Sequence, residues 1–448
     1  MTRVLPFLPA LLLGLSSINA AADSSRTLIR NGYVMPMTAD GEDRPNSDIL
    51  VEGNKIVEIG SDLSAPGAEV IDASGKYVLP GFVDAHNHLW VTTMRGQFRN
   101  NGGKFFPVSN KLAKVMQPQD IHTAMYLGAL ELLQSGVTTT GDFFDNIHGP
   151  EWGDAGLNAL KESGIRAIMY YGGPDKTTQH EIDIEHMAAL QQQATDRVRL
   201  GLAWRLPRDL QSQDNWAMRD KEFSFAREHK LPVQVHVSGD AKNMFDALIA
   251  RGYLSPSVTV VHATDATPEQ QAALVKAGGS LVLTPTSEQR VAYGITRLDN
   301  FRSVERQGLG IDGNALTGTG NMFENLRLAA LTESGAAKDE AQPDPRAVLA
   351  LATRRGAEAL GLADITGTLE PGKRADIQII DPASLNMAGF GGDDPAAYIL
   401  YSAQPQNLQT VLVDGKVVKQ DGQLVDVDLP ALMKQASDSA KEMIERAE

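Results

Sequence analysis

The chain has no cysteine. Disulfides, thiolate nucleophiles and cysteine-ligated zinc are therefore excluded, and any transition-metal site must be built from His, Asp or Glu. Positive charge is also scarce. Its 41 Lys and Arg stand against 56 Asp and Glu, a formal net charge of −15. Without a concentrated basic patch to displace phosphate counterions, nucleic-acid binding is not expected. The acidity reads as solubility. Repeats and low-complexity tracts are lacking, and after the first residues no apolar run is long enough to span a membrane. What remains is 448 residues, 42% of them apolar, enough for a large barrel and a smaller second domain.

The first residues read as a targeting segment. Arg3 is a positive start, Leu5 to Ile18 is apolar, and Ala20, Ala21 and Ala22 offer a small-residue cleavage site before the chain turns polar at Asp23. The run is too short for an ordinary membrane span, so residues 1–22 are expected to be a signal peptide. The mature protein would be exported, to a bacterial periplasm, without stable membrane association. An uncleaved anchor is the alternative, and the absence of cysteine removes a lipid-anchored form.

Residues 23–79 carry short strand-like runs: Leu28-Ile29, Ile49-Leu50-Val51, Ile56 to Ile59 and Val70-Ile71. Asn31-Gly32, Gly53-Asn54 and Gly67 separate them. The same texture returns in residues 365–428, at Ala375 to Ile380 and Thr410 to Val413. Both ends together suggest a small β-sandwich. Between them, residues 80–364 alternate apolar runs with helical stretches, as in an α/β TIM-like (β/α)8 barrel. Eight barrel strands are expected at Phe82–His86, Thr138–Asp142, Ala167–Tyr171, Leu200–Trp204, Val233–Val237, Thr259–His262, Leu281–Leu283 and Leu309–Asp312. Helices are expected at Asp120–Gln134, Gly153–Ser163, Asp240–Ala250, Pro268–Ala277 and Met322–Leu331. Residues 429–448 form a last helix, with Leu432, Ala436, Ala440, Met443 and Ile444 at helical spacing.

His86 and His88 end the first run. Residues two apart on a strand face the same way, so both imidazoles can grip one cation where barrel sites lie. Two surface histidines in a turn would be the alternative, disfavoured by the apolar run and Leu79-Pro80-Gly81 before them. His236, His262 and Asp312 each end a further expected strand. A lone histidine after a strand is weak evidence. Three strands delivering such residues to the same end, besides the first pair, is the convergence a barrel metal site requires. Imidazoles with one carboxylate suit zinc or ferrous iron better than magnesium or calcium. His122, His186 and His229 stand in polar or helical contexts and read as solvated. His148, after the second strand, reads as a loop histidine.

These residues resemble the amidohydrolase superfamily, in the branch with triazine hydrolases and cytosine, guanine and S-adenosylhomocysteine deaminases. The resemblance covers nearly all of the chain after residue 22. It rests on Leu79-Pro80-Gly81-Phe82-Val83-Asp84-Ala85-His86-Asn87-His88, on Ser135 to Asp142, on Gly310-Ile311-Asp312-Gly313-Asn314 with Asn321 to Ala329, and on Ala352 to Gly361 with Gly367 to Asp376. It implies a metal held by His86, His88, His236 and Asp312. Asp312 would also accept a proton from the attacking water, and His262 would polarise the substrate or orient the water. Leu202-Ala203-Trp204-Arg205-Leu206 lacks the lysine of binuclear members, which implies one divalent metal per chain. One departure stands out. Deaminases of this branch carry a glutamate three residues after the fifth-strand histidine, and here Gly239 fills that place. Asp240 and Glu288 are candidates to replace it.

The expected reaction is attack of activated water on an sp² carbon, with hydrolytic deamination of a nitrogen heterocycle first. Hydrolysis of an amide, lactam or carbamate C–N bond, and an exported metal- or ligand-binding protein without turnover, are the alternatives. The partner is a small-molecule substrate, and a homo-oligomer is left open. Trp90, Arg95 and Arg99 follow the first strand, and Trp204, Arg205 and Arg208 the fourth. Aromatic and Arg residues could stack on and pair with a planar heterocycle, or they could serve packing and surface ion pairs. Phe105, Phe106 and Trp152 could add an apolar wall or fill the core.

Overall fold

A computed structural model describes residues 26–98, 104–174, 181–207 and 209–448. The signal-peptide expectation, Arg99 and Arg208 lie outside them. Eight parallel strands form the central sheet, in sequence order: Phe82–Asn87, Val137–Phe144, Arg166–Tyr171, Val198–Trp204, Val233–Val237, Val258–His262, Ser280–Leu283 and Gln307–Leu309. Their near-continuous burial is that of parallel strands covered on both faces. Seven fall within two residues of the sequence expectation. The eighth stops at Leu309, three residues before Asp312.

The barrel closes through that early stop. No ladder joins the first and eighth strands. Instead the Asp312 N–H donates to the His86 carbonyl at 2.9 Å, and the Ile311 N–H donates to Asp84 Oδ1 at 2.9 Å. Gly310 makes the approach possible, because a Cβ there would lie 2.6 Å from the His86 carbonyl oxygen.

The barrel interior is packed by Val83, Phe143, Ile168, Tyr170, Ala203 and Val282, and plugged from below by Ala357, Ala359 and Leu360. This gives the Ala352–Gly361 motif a physical meaning: its helix, Arg354–Ala359, lies under the barrel, and Gly356 sits where a Cβ would meet the Val83 Cβ at 3.1 Å.

The two ends of the chain build one nine-stranded mixed sheet. Tyr77–Pro80 pairs with both Arg26–Val34 and Ile377–Ile380, joining the N-terminal and C-terminal strands in one ladder. A separate core of Ile29, Ile49, Val51, Ile56, Ile377 and Ile379 lies against it. Helices not expected from sequence include Phe105–Ala113, Ile184–Gln193 and Gln213–Glu228. The last helix, Leu429–Ala447, packs on Pro118–Gln134, where Ser439 donates to Asp120 Oδ1 at 2.7 Å. Among the described residues, no helix is long and apolar enough to cross a membrane.

Candidate active site

The first barrel strand brings His86 and His88 to its C-terminal end, the fifth brings His236, and the turn after the eighth brings Asp312. One ligand atom of each lies within 4.8 Å of the others. His236 Nε2 is 3.2 Å from the Nε2 atoms of both His86 and His88, and Asp312 Oδ1 is 3.2 and 3.4 Å from the same two atoms. Zinc bonds of about 2.0–2.1 Å in a tetrahedron would give ligand–ligand edges of about 3.3–3.4 Å.

The far side of the rings fixes where the lone pairs point. Gln234 donates its amide to the Ala85 carbonyl at 2.8 Å, so its oxygen is left to accept from His86 Nδ1 at 2.8 Å. Asp145 Oδ1 accepts from His88 Nδ1 at 3.0 Å. Both Nε2 atoms therefore present lone pairs to the shared centre. Burial holds His86 and His236 below the ordinary histidine range, that is, neutral. Neutral rings aiming electron pairs at one point beside a carboxylate make a cation-binding donor set. Phe143 fixes the cluster from inside the barrel, its ring centroid 4.3 Å from that of His236 and 5.3 Å from that of His88.

Asp312 is enclosed, which works against its charge. The nearby His86, His262 and His88 outweigh burial and bring its pKa down to about 2. His262 ends the sixth strand. Burial disfavours its cation, but Glu288 and Asp312 more than compensate and raise its pKa. Its Nδ1 lies 3.1 Å from Glu288 Oε1 and 3.0 Å from Thr284 Oγ1. His262 and Asp312 have φ of +71° and +68°. Such left-handed backbone is unusual outside glycine and concentrates at functional sites.

A cleft opens above this cluster, lined by Trp90, Phe105, Phe106, Leu316 and Tyr293 on its apolar side and by Asp145, Asn146, Asn110, Ser238 and Arg205 on its polar side. The substrate candidates divide accordingly. Trp90 lines the cleft and donates Nε1–H to Asp145 Oδ1 at 2.9 Å. Arg205 also lines it, ion-paired with Asp145 and over the Phe143 ring. The other four do not line it. Trp204 is fully buried outside the barrel among Phe223 and Tyr253, because strand alternation gives the inward place to Ala203. Arg95 ion-pairs with Glu131. Asp240 is exposed and accepts from Asn243 at 2.9 and 3.1 Å. Glu288 is fully buried behind His262.

Phe105 and Phe106 do form a cleft wall, while Trp152 bonds the Met116 carbonyl away from it. His186 is not solvated: Tyr171 Oη lies 3.0 Å from its Nδ1. His122 bonds Glu162 and His229 stacks on Phe225. Sequence reasoning passed over Asp145, Asn146 and Tyr293. The signal for the first two was present, since they follow the second strand as His236 follows within the fifth. Tyr293 sits in a loop with no pattern to mark it.

The fold and this donor set define the class, a barrel hydrolase. The chain belongs to the Amidohydrolase family, which it matches over residues 77–418. Among curated relatives, a 5'-deoxyadenosine deaminase of Methanobrevibacter smithii is 28% identical over 429 residues, covering 89% of this chain and 94% of the relative. A 5-methylthioadenosine/S-adenosylhomocysteine deaminase of Desulforudis audaxviator is 29% identical over 449 residues, covering 94% and 99%. In fold the chain is similar to an adenosine deaminase from Xanthomonas campestris with bound zinc, at a TM-score of 0.81 and 23% identity, over 94% of this chain and 99% of that one. It is equally similar to a zinc complex of atrazine chlorohydrolase from Arthrobacter aurescens, at a TM-score of 0.81 and 24% identity, over 92% and 100%.

Proposed function

We propose that this protein is a zinc-dependent hydrolase that deaminates a nitrogen heterocycle, with a 6-aminopurine nucleoside as the first substrate to test. The observation that carries the reading is the convergence of His86, His88, His236 and Asp312 beneath an aromatic-walled cleft. The purine choice is supported by the substrates named in its curated relatives.

Zinc held by these four residues would supply a polarising charge and a water acidic enough to attack near neutral pH. Asp312, kept ionised by its histidine neighbours, would accept a proton from the attacking water. His262, with Nδ1 bonded to Glu288, hydrogen-bonds the oxygen that becomes negative as the carbon turns tetrahedral. Trp90 and Phe106 stack on the flat ring and keep bulk water from it.

Metal content by mass spectrometry, beside an ammonia-release assay on adenosine and 5'-deoxyadenosine, tests the reading. About one zinc per chain, lost in His86→Ala, with ammonia release lost in Asp312→Ala, is the expected result. One iron per chain would correct the metal alone. Two metals would overturn the single-site arrangement, and a folded protein without metal would leave a binding role. A second reading, hydrolysis of an amide, lactam or carbamate, is favoured by Gly239 standing where deaminases carry glutamate. It predicts an amine or an opened ring in place of ammonia. We propose further that the protein is exported; with its own N-terminus in a bacterial host, a mature mass starting near Asp23 in the periplasmic fraction is expected, and an uncleaved cytoplasmic chain would refute it.

A further inference from the structure

Deamination by this site leaves one proton unassigned. Attack on a ring C=N carbon drives an electron pair onto the ring nitrogen, which has to be protonated before the amine departs. Gly239 brings no acid. It has φ +78°, a conformation in which a glutamate would be strained. The carboxylates nearby do not fill the gap. Asp240 is exposed on its own helix cap, Glu288 is enclosed behind His262, and both oxygens of Asp145 are taken up by His88, Trp90 and Arg205.

We propose, resting on the deaminase reading, that Tyr293 donates this proton: its side chain lines the cleft together with Ser238, the residue just before Gly239. Its ring meets that of His262 edge-on at 6.0 Å, which sets it over the same end of the barrel as Asp312. Its position is fixed by the glutamate that also orients His262. The Tyr293 N–H donates to the Glu288 carbonyl at 2.8 Å, and the Thr296 hydroxyl donates to Glu288 Oε2. Ala292 at φ +65° and Gly294 at φ +116° bracket it, a strained turn that persists because Glu288 ties down both sides. Burial raises the phenol above its ordinary range, so it is a proton donor at neutral pH. A nitrogen that has just accepted an electron pair from a broken C=N bond is basic enough for a phenol to protonate; no carboxylic acid is required.

The protons balance. Water oxygen bonds to the ring carbon, Asp312 takes one water proton, and Tyr293 gives its proton to the ring nitrogen. Asp312 then passes its proton to the amino group, the C–N bond breaks, and ammonia leaves. The remaining hydroxyl proton goes to the tyrosinate as the carbonyl forms, which restores both residues.

Tyr293→Phe keeps the ring and removes the proton. Two pairs of probes test it on the metal-loaded and metal-free full chain. In turnover, adenosine should lose about 10²–10³-fold in kcat, whereas 6-chloropurine riboside, whose chloride departs without a proton, should lose less than about tenfold. In binding to metal-free protein, the wild type should prefer purine riboside over its 1-deaza analogue, which lacks the ring nitrogen, by about fivefold. The variant should bind both alike. Equal losses on the two substrates, no loss on adenosine, or a nitrogen preference that survives the substitution each overturn the assignment. A wild type that releases neither ammonia nor chloride overturns the deaminase reading instead, and the binding pair then decides the Tyr293 contact alone.

Discussion

Asp145 carries more of this site than its place in the sequence suggests. One of its oxygens accepts from His88 Nδ1 and Trp90 Nε1, and the other pairs with Arg205. A single carboxylate thus orients a candidate metal ligand, an aromatic wall and the cleft's cation. Asp145→Asn keeps the shape but offers an amide where an acceptor is needed. Metal affinity should fall about 10–100-fold, the usual cost of losing a partner that orients a ligating histidine. Competition with a chromogenic chelator measures it, and an unchanged affinity would show that His88 needs no such support.

At the scale of elements, the chain passes from the terminal sheet into the barrel through a single residue. Tyr77–Pro80 belongs to one sheet and Phe82–Asn87 to the other. Gly81 turns between them where a Cβ would lie 2.1 Å from Thr138 Cγ2 and 2.2 Å from its Oγ1. Gly81→Ala should therefore cost about 1–3 kcal/mol by overpacking, with part recovered in Gly81→Ala/Thr138→Ala. Urea unfolding of the two single variants and the double variant gives the coupling; additive effects would mean that the two residues do not meet.

For the whole molecule, a buried arginine clamped by two acids holds the sheet to the barrel. Arg166, at the start of the third barrel strand, donates to Asp376 at 2.7 and 3.1 Å and to Asp414 at 2.7 Å, both acids lying in the C-terminal half of the sheet. Arg166→Met strands two acids and should cost about 3–5 kcal/mol. Chemical denaturation tests this, and a loss under about 1 kcal/mol would mean that the clamp contributes little.

Lys419 is fully buried and donates to the carbonyls of Gln134 and Pro405 at 2.8 and 3.0 Å. Burial lowers its pKa from 10.5 to about 8. Between about pH 8 and 10.5 the unfolded chain therefore binds more protons at this group than the folded one, so its contribution to stability rises with pH. The melting temperature of the wild type should gain on that of Lys419→Met across this window. Parallel profiles would show that the ammonium is better solvated than its burial implies.

Much of this was legible in the sequence. Parallel strands buried on both faces leave unbroken apolar runs, and a strand places residues two apart on one side, so seven barrel strands and the His86–His88 pair could be read directly. Asp312 was found although its strand ends three residues earlier, because its motif marks it where its secondary structure does not. Side-chain direction at loop and strand ends was not legible. Trp204 turned outward, Arg95 and Asp240 turned to other partners, and Glu288 went behind His262. Asp145, Asn146 and Tyr293 came into the cleft. The sequence alone determined the barrel and the terminal sheet, which follow from local periodicity, and the candidate metal ligands, which follow from position along strands and from motifs. Only the tertiary structure decided which groups share the cleft and which carboxylate faces which ring. Those outcomes depend on contacts between residues far apart in the chain, such as Asp84 with Ile311 and His88 with Asp145, and on the backbone turns that aim each side chain.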